Sequence, residues 1–354
     1  MSTKTKSISF ENQIFHIGID VHKKDWKVTI RSNCMQLKTF SMNPSPEELV
    51  SYMKRNYPGG EYRSVYEAGF CGYWIHRELT RLNFRSIIAN AADVPTTNKE
   101  KDRKSDPVDS AKLSRELENS SLRAIFVPSP EQEALRSLSR LHRQHTKRSV
   151  QTKNRIKAFL SFVGYKLPEN CEVKHWSGNF ITMLEEITFS VEINRLILDE
   201  HISELKHIRE KLLLLLREIR HISKNTHIIK LLRTIPGIGQ ITAFTLYTEL
   251  VDIHRFRDLD HLCGFIGLVP STHSSGTKEI TCGMSNRQNK FLRRIIIEAA
   301  WVAVRMDPAM TAAYNELIKR ISKQRAIVRI AKKLTNRIRY VWLHQKEYVT
   351  AVVE

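Results

Sequence analysis

The stretch Ile14-Phe15-His16-Ile17-Gly18-Ile19-Asp20 decides how this chain is read, because it is an apolar run that stops on a carboxylate. As a strand it alternates faces, with Ile17 and Ile19 on one side and His16, Gly18 and Asp20 on the other. Asp20 then closes the strand, two residues after a glycine that lets a metal ion or a phosphate backbone come near the sheet. The same residues also suit a plain turn into the polar run Val21-His22-Lys23-Lys24-Asp25. Carboxylates further along the chain decide between the two readings.

Outward from this strand, residues 26–31 read as a second strand with Trp26, Val28 and Ile30 on one face, and residues 35–42 as a third carrying Leu37 and Phe40. Ser45-Pro46-Glu47-Glu48 supplies an N-cap, a proline at the first helical position and first-turn acids, which predicts a helix reaching Arg55. Pro58-Gly59-Gly60 breaks the chain, and Arg63-Ser64-Val65-Tyr66-Glu67 is a fourth strand that again ends on a carboxylate. Helical spacing over 73–82 and a short fifth strand over 84–88 follow. A meander followed by alternating helices and strands predicts an α/β layer fold, with helices against a mixed sheet.

In Lys104-Ser105-Asp106-Pro107-Val108-Asp109-Ser110, Pro107 fits the first position of a helix, with Asp106 at the N-cap and Asp109 one turn on. Helix capping alone accounts for this motif equally well. The set of acids changes the weighting. If the first and fourth strands are neighbours, Asp20 and Glu67 converge with Asp106 and Asp109, and four carboxylates repel unless a cation neutralises them. Oxygen ligands of this kind suit magnesium or manganese, ions that assist phosphodiester transfer.

Composition points to the partner. The 354 residues hold 57 Lys and Arg against 37 Asp and Glu, a formal charge of +20 and a pI near 9.8. Such a charge favours a polyanion. Nucleic acid is preferred over a membrane, since no apolar run of about 18 residues is present and residues 1–6 lack the apolar core of a signal peptide. The five cysteines, Cys34, Cys71, Cys171, Cys263 and Cys282, are odd in number, scattered, and without zinc-like spacing. They suit a reducing cytosol, as small core residues.

From residue 128 the pattern turns helical. Residues 131–162 lack Pro and Gly and carry Arg136, Arg140, Arg143, Lys147, Arg148, Lys153, Arg155 and Lys157. A second run over 180–223 places Leu184, Ile187, Val191, Leu198, Ile202, Leu205, Ile208, Leu212 and Leu215 at spacings of a coiled-coil or helical-hairpin seam, with Asn194 its polar member. Packing within the molecule and packing between protomers both fit. Ile235-Pro236-Gly237-Ile238-Gly239 lies between helical runs and suits either a phosphate seat or a tight helix-helix turn. Ser271-Thr272-His273-Ser274-Ser275-Gly276-Thr277-Lys278 puts hydroxyls beside a glycine on a loop, either to present a nucleophile or simply to turn. Arg287, Lys290, Arg293 and Arg294 recur at helical spacing, and bases from Lys319 to Arg339 repeat the theme, which favours phosphate contacts.

Five motifs in this order, Gly-Ile-Asp-Val-His-Lys at 18–23, Tyr-Glu-Ala-Gly at 66–69, Lys-Ser-Asp-Pro-Val-Asp-Ser at 104–110, Ile-Pro-Gly-Ile-Gly at 235–239 and Gly-Leu-Val-Pro with Ser-Ser-Gly at 267–276, resemble the DEDD insertion-sequence transposases. These are bridge-RNA-guided recombinases, related to Piv-type DNA invertases. The resemblance runs from about residue 14 to 340. It implies an RNase H-like (RuvC-type) α/β domain over 1–125, a helical coiled-coil region over 126–225 and a mainly α transposase domain over 226–345. It also implies a magnesium-binding tetrad of Asp20, Glu67, Asp106 and Asp109 and a catalytic serine at Ser275, with Ser274 fitting after a one-residue slip. Where the family has Lys-Thr-Asp, Asp-Ala and Asn-Pro, this chain has Lys104-Ser105-Asp106, Asp109-Ser110 and Asn90-Ala91, which leaves every ligand in place.

The implied chemistry is metal-assisted, serine-dependent strand exchange on donor and target DNA, directed by a structured noncoding RNA and carried out by a dimer or tetramer in the bacterial or archaeal cytoplasm, at the nucleoid. Arg140, Arg143, Lys147, Arg148, Gly237, Gly239, Arg287, Lys290, Arg293 and Arg294 are the candidate nucleic-acid contacts. Two other readings compete: a metal-dependent junction resolvase or nuclease that uses water, and a non-catalytic nucleic-acid-binding protein.

Overall fold

The computed structural model describes residues 9–95, 106–167, 176–275, 278–284 and 289–350, with 106, 107, 270–275 and 278–284 described by their backbone. The chain divides into two compact units, residues 1–127 and 128–354.

The first unit is built on a five-stranded sheet in the order β3-β2-β1-β4-β5, formed by β1 (Ile14–Val21), β2 (Trp26–Ser32), β3 (Met35–Met42), β4 (Glu61–Glu67) and β5 (Arg85–Ala89). The meander β1-β2-β3 is antiparallel, while β1 pairs with β4 and β4 with β5 in parallel. This is the mixed sheet that the sequence predicts, with the first and fourth strands adjacent.

Alternation sorts the two faces. Phe15, Ile17, Ile19, Trp26, Val28 and Ile30 are buried on one face with Leu49 and Met53 of α1 (Pro46–Asn56) and Ile75 and Leu79 of α2 (Trp74–Arg81). Helix α1 starts as expected, with Ser45 Oγ accepting the Glu48 backbone N–H at 3.2 Å. The opposite face takes α3 (Asp106–Glu118), whose Leu113 packs with Val65 and Ala89. Here Gly18 is essential to the packing. A Cβ on it would lie 2.1 Å from the Ser110 carbonyl oxygen and 2.5 Å from the Ser114 nitrogen, so α3 rides directly on the backbone of β1. Thr29, on the neighbouring strand, adds a buried 2.9 Å hydrogen bond between its hydroxyl and that of Ser110.

The far end of α3 is tied down by Glu118, which accepts from Arg31 Nε and from the Cys34 backbone N–H, both at 2.8 Å. Burial by itself pushes this carboxyl up, but the hydrogen bonds from Arg31 and Cys34 and the Arg31 charge outweigh it and hold the group below its ordinary value. Asn33 and Cys34 form the two-residue β2-β3 turn with φ of 52° and 61°. That geometry exposes Cys34 at the hairpin tip and corrects the expectation that the thiols are core residues; Cys71 and Cys263 are buried as expected. Cys171 lies outside the described residues.

The second unit opens with α4 (Pro130–Phe162), started by a capping box in which Ser129 and Gln132 exchange side-chain to backbone hydrogen bonds. The predicted run over 180–223 is two helices, α5 (Gly178–Glu185) and α6 (Glu192–Asn225). The break has a physical cause: Ile187 and Phe189 turn into the core beside Phe159, and the Arg195 guanidinium donates to the carbonyls of Leu184, Glu185 and Ile187 that the ended helix leaves open. Part of the apolar seam is met within the unit, as Leu198, Ile202 and Leu205 pack on Ile156 and Leu160 of α4, while Val191 is exposed and Leu212 and Leu215 are half-buried.

The remainder is α7 (His227–Leu232), α8 (Gln240–Leu250), α9 (Leu259–Ile266), the hairpin β6 (Pro270–Ser275) and β7 (Lys278–Met284), then α10 (Lys290–Met306), α11 (Pro308–Ile318) and α12 (Lys323–His344). Phe244, Leu262, Ile266, Leu292, Ile296, Ile330, Leu334 and Ile338 share its core. The serine segment, read from sequence as a loop, is therefore the outgoing strand of a hairpin, with Ser275 opposite Lys278 and Ser274 opposite Glu279. Cross-strand pairing supplies the backbone partners that a loop would otherwise lack. Among the described residues no helix is long and apolar enough to cross a membrane.

Replacing Gly18 with Ala should destabilise the first unit by at least about 1–3 kcal/mol, the scale of a core overpacked against backbone that cannot yield. Urea unfolding followed by circular dichroism measures it, and an unchanged midpoint would contradict direct seating of α3 on β1.

Candidate active site

The register of β1 and β4 builds the site. Ile19 pairs with Tyr66, so Asp20 and Glu67, each next in its own strand, lie at the same level at the carboxyl ends of adjacent parallel strands, with Asp20 one residue before the end of β1 and Glu67 closing β4. Both belong to the face that α3 covers, because Gly18 and Val65 sit two residues back on that face. Side chains at the carboxyl ends of parallel strands open onto the crevice where α/β sheets bind ligands. Asp20 Oδ2 lies 3.1 Å from His22 Nε2, across the start of the β1-β2 turn.

The third acid comes from α3. Asp109 Oδ1 is 3.5 Å from the Lys112 ammonium one turn along the helix, and the same ammonium is 3.9 Å from Glu67 Oε1. Lys112 is buried, with 9% of its side chain exposed, whereas the two carboxylates are partly open to solvent. A buried cation held between two acids from different elements shows that their repulsion is being compensated. Lys112 is the member of this site that sequence reading missed, although an acid followed three residues later by a lysine on a helix was the available signal. Helix α3 begins at Asp106, one residue before the start expected at Pro107, and the Asp106 side chain lies outside the described atoms. Among the described residues no three Asp, Glu, His or Cys side chains close on one point as a metal cage.

In the second unit Ser274 and Ser275 are the last two residues of β6. Asn289 N-caps α10 by accepting from the Leu292 N–H at 3.1 Å. Asn289 Nδ2 also donates to Glu249 at 3.4 Å, and Glu249, buried in α8, receives a bidentate pair from Arg140 of α4 at 2.8 and 3.0 Å. Arg143, one turn away, stacks its guanidinium 3.9 Å above the Phe291 ring. Arg140 and Arg143 thus fasten the long helix to α8 and to the start of α10.

The other basic candidates divide. Lys147, Arg148 and Lys290 are exposed, Arg294 is exposed and paired with Glu298 at 2.8 Å, and Arg293 reaches the Gly267 carbonyl at 3.4 Å. Arg287 lies outside the described residues. Gly237 has φ of 88° and would place a Cβ 2.3 Å from the Ala299 carbonyl, so the helix packing of α10 demands it. Gly239 N-caps α8, and nothing lies within 4 Å of where its Cβ would be.

The two classes of arginine and lysine separate by experiment. Arg140→Gln should cost about 1–2 kcal/mol of stability, reduced from the buried-pair scale because the Arg140 side chain is 57% exposed. Lys147→Gln should stay within about 0.5 kcal/mol of the native chain. Denaturant midpoints of the two variants make the comparison, and equal midpoints would remove the stapling role of Arg140.

With this geometry established, comparison with known proteins places the chain. A DEDD-type model described as "Transposase", built on IS110 elements, matches residues 17–164, and one described as "Transposase IS116/IS110/IS902 family" matches residues 229–315. The chain is 26% identical over 237 residues to the transposase for insertion sequence element IS1111A of Coxiella burnetii, covering 67% of this chain and 65% of that protein. It is 28% identical over 202 residues to the transposase for insertion sequence element IS1328 of Yersinia enterocolitica, covering 57% and 59%. A shorter stretch of 116 residues is 31% identical to the pilin gene-inverting protein of Moraxella bovis, 30% of this chain and 34% of that one. The alignments span less than two thirds of each of these relatives. Two models matched in order, one over the carboxylate-bearing unit and one over the hairpin-bearing unit, show that the chain belongs to the IS110 family of transposases.

Proposed function

We propose that the chain is a DNA recombinase that moves an insertion sequence by metal-assisted, serine-dependent strand exchange, with its first unit an RNase H-like (RuvC-type) catalytic domain. The observation that carries this reading is the meeting of Asp20 and Glu67 at neighbouring strand ends beneath the helix that bears Asp109. The donor set fits a hard divalent cation, since Asp20, Glu67 and Asp109 offer only carboxylate oxygens, while the space over Gly18 is taken by α3 itself. Asp20, Glu67, Asp106 and Asp109 would hold magnesium or manganese, which supplies Lewis-acid polarisation of a phosphoryl oxygen when bound.

The protein's own groups do the rest. The Ser275 hydroxyl attacks the phosphorus of a DNA phosphodiester; a serine–phosphate bond forms as the bond to the leaving sugar oxygen breaks, and the serine proton balances that oxygen's charge. The covalent link conserves the phosphodiester, so rejoining to a second strand needs no ATP. Ser275 and the carboxylates belong to different units, and we assign them to different protomers of a dimer or tetramer, joined through the helical arm over 126–225 acting as a coiled coil. Exposed bases such as Lys147, Arg148 and Lys290 contact DNA phosphates, and a structured noncoding RNA names the donor and target sites in the cytoplasm.

Two variants test the mechanism. Ser275→Ala should abolish the covalent protein–DNA adduct trapped by denaturation, and Asp20→Asn should slow strand cutting at least about a hundredfold, given the several kcal/mol that a metal contributes to transition-state charge. A chain that still cuts DNA after Ser275→Ala uses water instead, and an Asp20→Asn chain with undiminished transposition in cells is not a metal-dependent enzyme.

Lys112→Met tests the charge balance without activity as the readout. Removing the ammonium leaves the acids facing one another, so the variant should melt below the native chain in EDTA and gain more from added magnesium. Equal magnesium shifts for both proteins would contradict a shared cation site.

A further inference from the structure

In the loop that follows Glu67 and at the start of α2, the first unit carries large aromatic rings in water. Phe70 is 64% exposed and Trp74 48% exposed, three and seven residues after Glu67. Single exposed apolar residues need no explanation. Here the exposure is built in. The Tyr66 hydroxyl, at the inner end of the loop, donates to the Gly72 carbonyl at 3.0 Å and accepts from the His76 N–H at 3.3 Å, while Cys71 is buried beneath. With Cys71 held inward, its neighbour Phe70 is held outward. Trp74 leans on the buried Trp26, ring centroids 6.4 Å apart, which fixes its orientation and leaves the rest of its ring open.

The surroundings are cationic. The Lys23 ammonium, from the turn that follows Asp20, lies 5.9 Å from the Phe70 ring centroid, Lys24 beside it is exposed, and Arg77 stands 5.8 Å over Tyr73. The Asp20 turn and the Glu67 loop thus bring together what unpaired nucleic acid requires: flat rings for bases and positive charge for the phosphates between them. A protein surface would seek apolar contact over a wider area, and a duplex keeps its base faces stacked and unavailable.

We propose that Phe70 and Trp74 form a stacking platform for an unpaired DNA base next to the scissile phosphate, with Lys23 and Lys24 on the adjoining phosphates. This rests on the reading of the carboxylates as a DNA-cutting site. By gripping a base that has left the helix, the platform selects strands already opened, and it orients the neighbouring phosphate toward Asp20 and Glu67.

The test uses the full chain, single-stranded oligodeoxythymidylate and a blunt duplex of equal length, with binding followed by anisotropy in EDTA. Phe70→Ala and Trp74→Ala should each weaken single-strand binding about tenfold, the scale of losing one stacked base, and change duplex binding less than about twofold. Phe70→Trp should restore the single-strand affinity, and the quenching that the oligonucleotide causes in the native chain should shrink in Trp74→Phe. Unchanged single-strand affinity, or equal losses on both probes, overturns the platform. So does a Phe70→Ala chain that sediments as a smaller species than the native one, since the rings would then join two copies. Asp20→Asn separates the claims: a variant that stacks normally and no longer cuts supports both. If Asp20→Asn still cuts, the carboxylate reading falls, and the proposed neighbour of the platform falls with it while the measured stacking stands.

Discussion

Acidic side chains do not gather unless something positive is placed among them, and the first unit is arranged around that constraint. Asp20 and Glu67 end neighbouring strands, Asp109 arrives on the covering helix, and the buried Lys112 ammonium lies within 3.9 Å of Glu67 and 3.5 Å of Asp109. The arrangement depends on how closely α3 approaches β1, which only a glycine at position 18 permits. Thr29 to Ser110 in the middle of the helix and Arg31 to Glu118 at its end hold the same contact along its length. Packing and electrostatics are therefore one problem in this unit: moving the helix outward would separate the charges that define the site.

The second unit solves a related problem with the opposite sign. Glu249 is a carboxylate buried in α8, and leaving it unpaired would cost several kcal/mol. Its partners are Arg140 of the long helix and Asn289 at the start of α10. A displacement of the long helix is therefore felt at the start of α10, through a charged network rather than a soft apolar contact. The count of 57 Lys and Arg overstates the cations available to a polyanion, because some, like Arg140 and Arg143, are already engaged by the protein itself.

The two matched regions, 17–164 and 229–315, leave out the whole of α6. That helix needs only apolar residues at spacings of three and four to cover Ile156 and Leu160, a demand many sequences meet. The carboxylate strand, by contrast, needs one residue type at one position. Gly18 must lack a side chain for α3 to seat on it, and the strand must present the correct face to that helix.

Much was readable from local pattern. Alternation in residues 14–20 and 63–67 set which side chains share a face, Ser45-Pro46 marked a helix start, and two strands ending on carboxylates suggested a site. These features are local because backbone geometry imposes their period. The break between α5 and α6 escaped because Arg195 closes it from a distance, and the serine strand was mistaken for a loop because its hydroxyls and glycine resemble a turn until a partner strand pairs with them. Lys112 and Arg140 escaped for the same reason. A sequence shows that a residue is charged, but which opposite charge it meets depends on elements that lie far apart along the chain, and only the folded arrangement of sheet and helices brings them together.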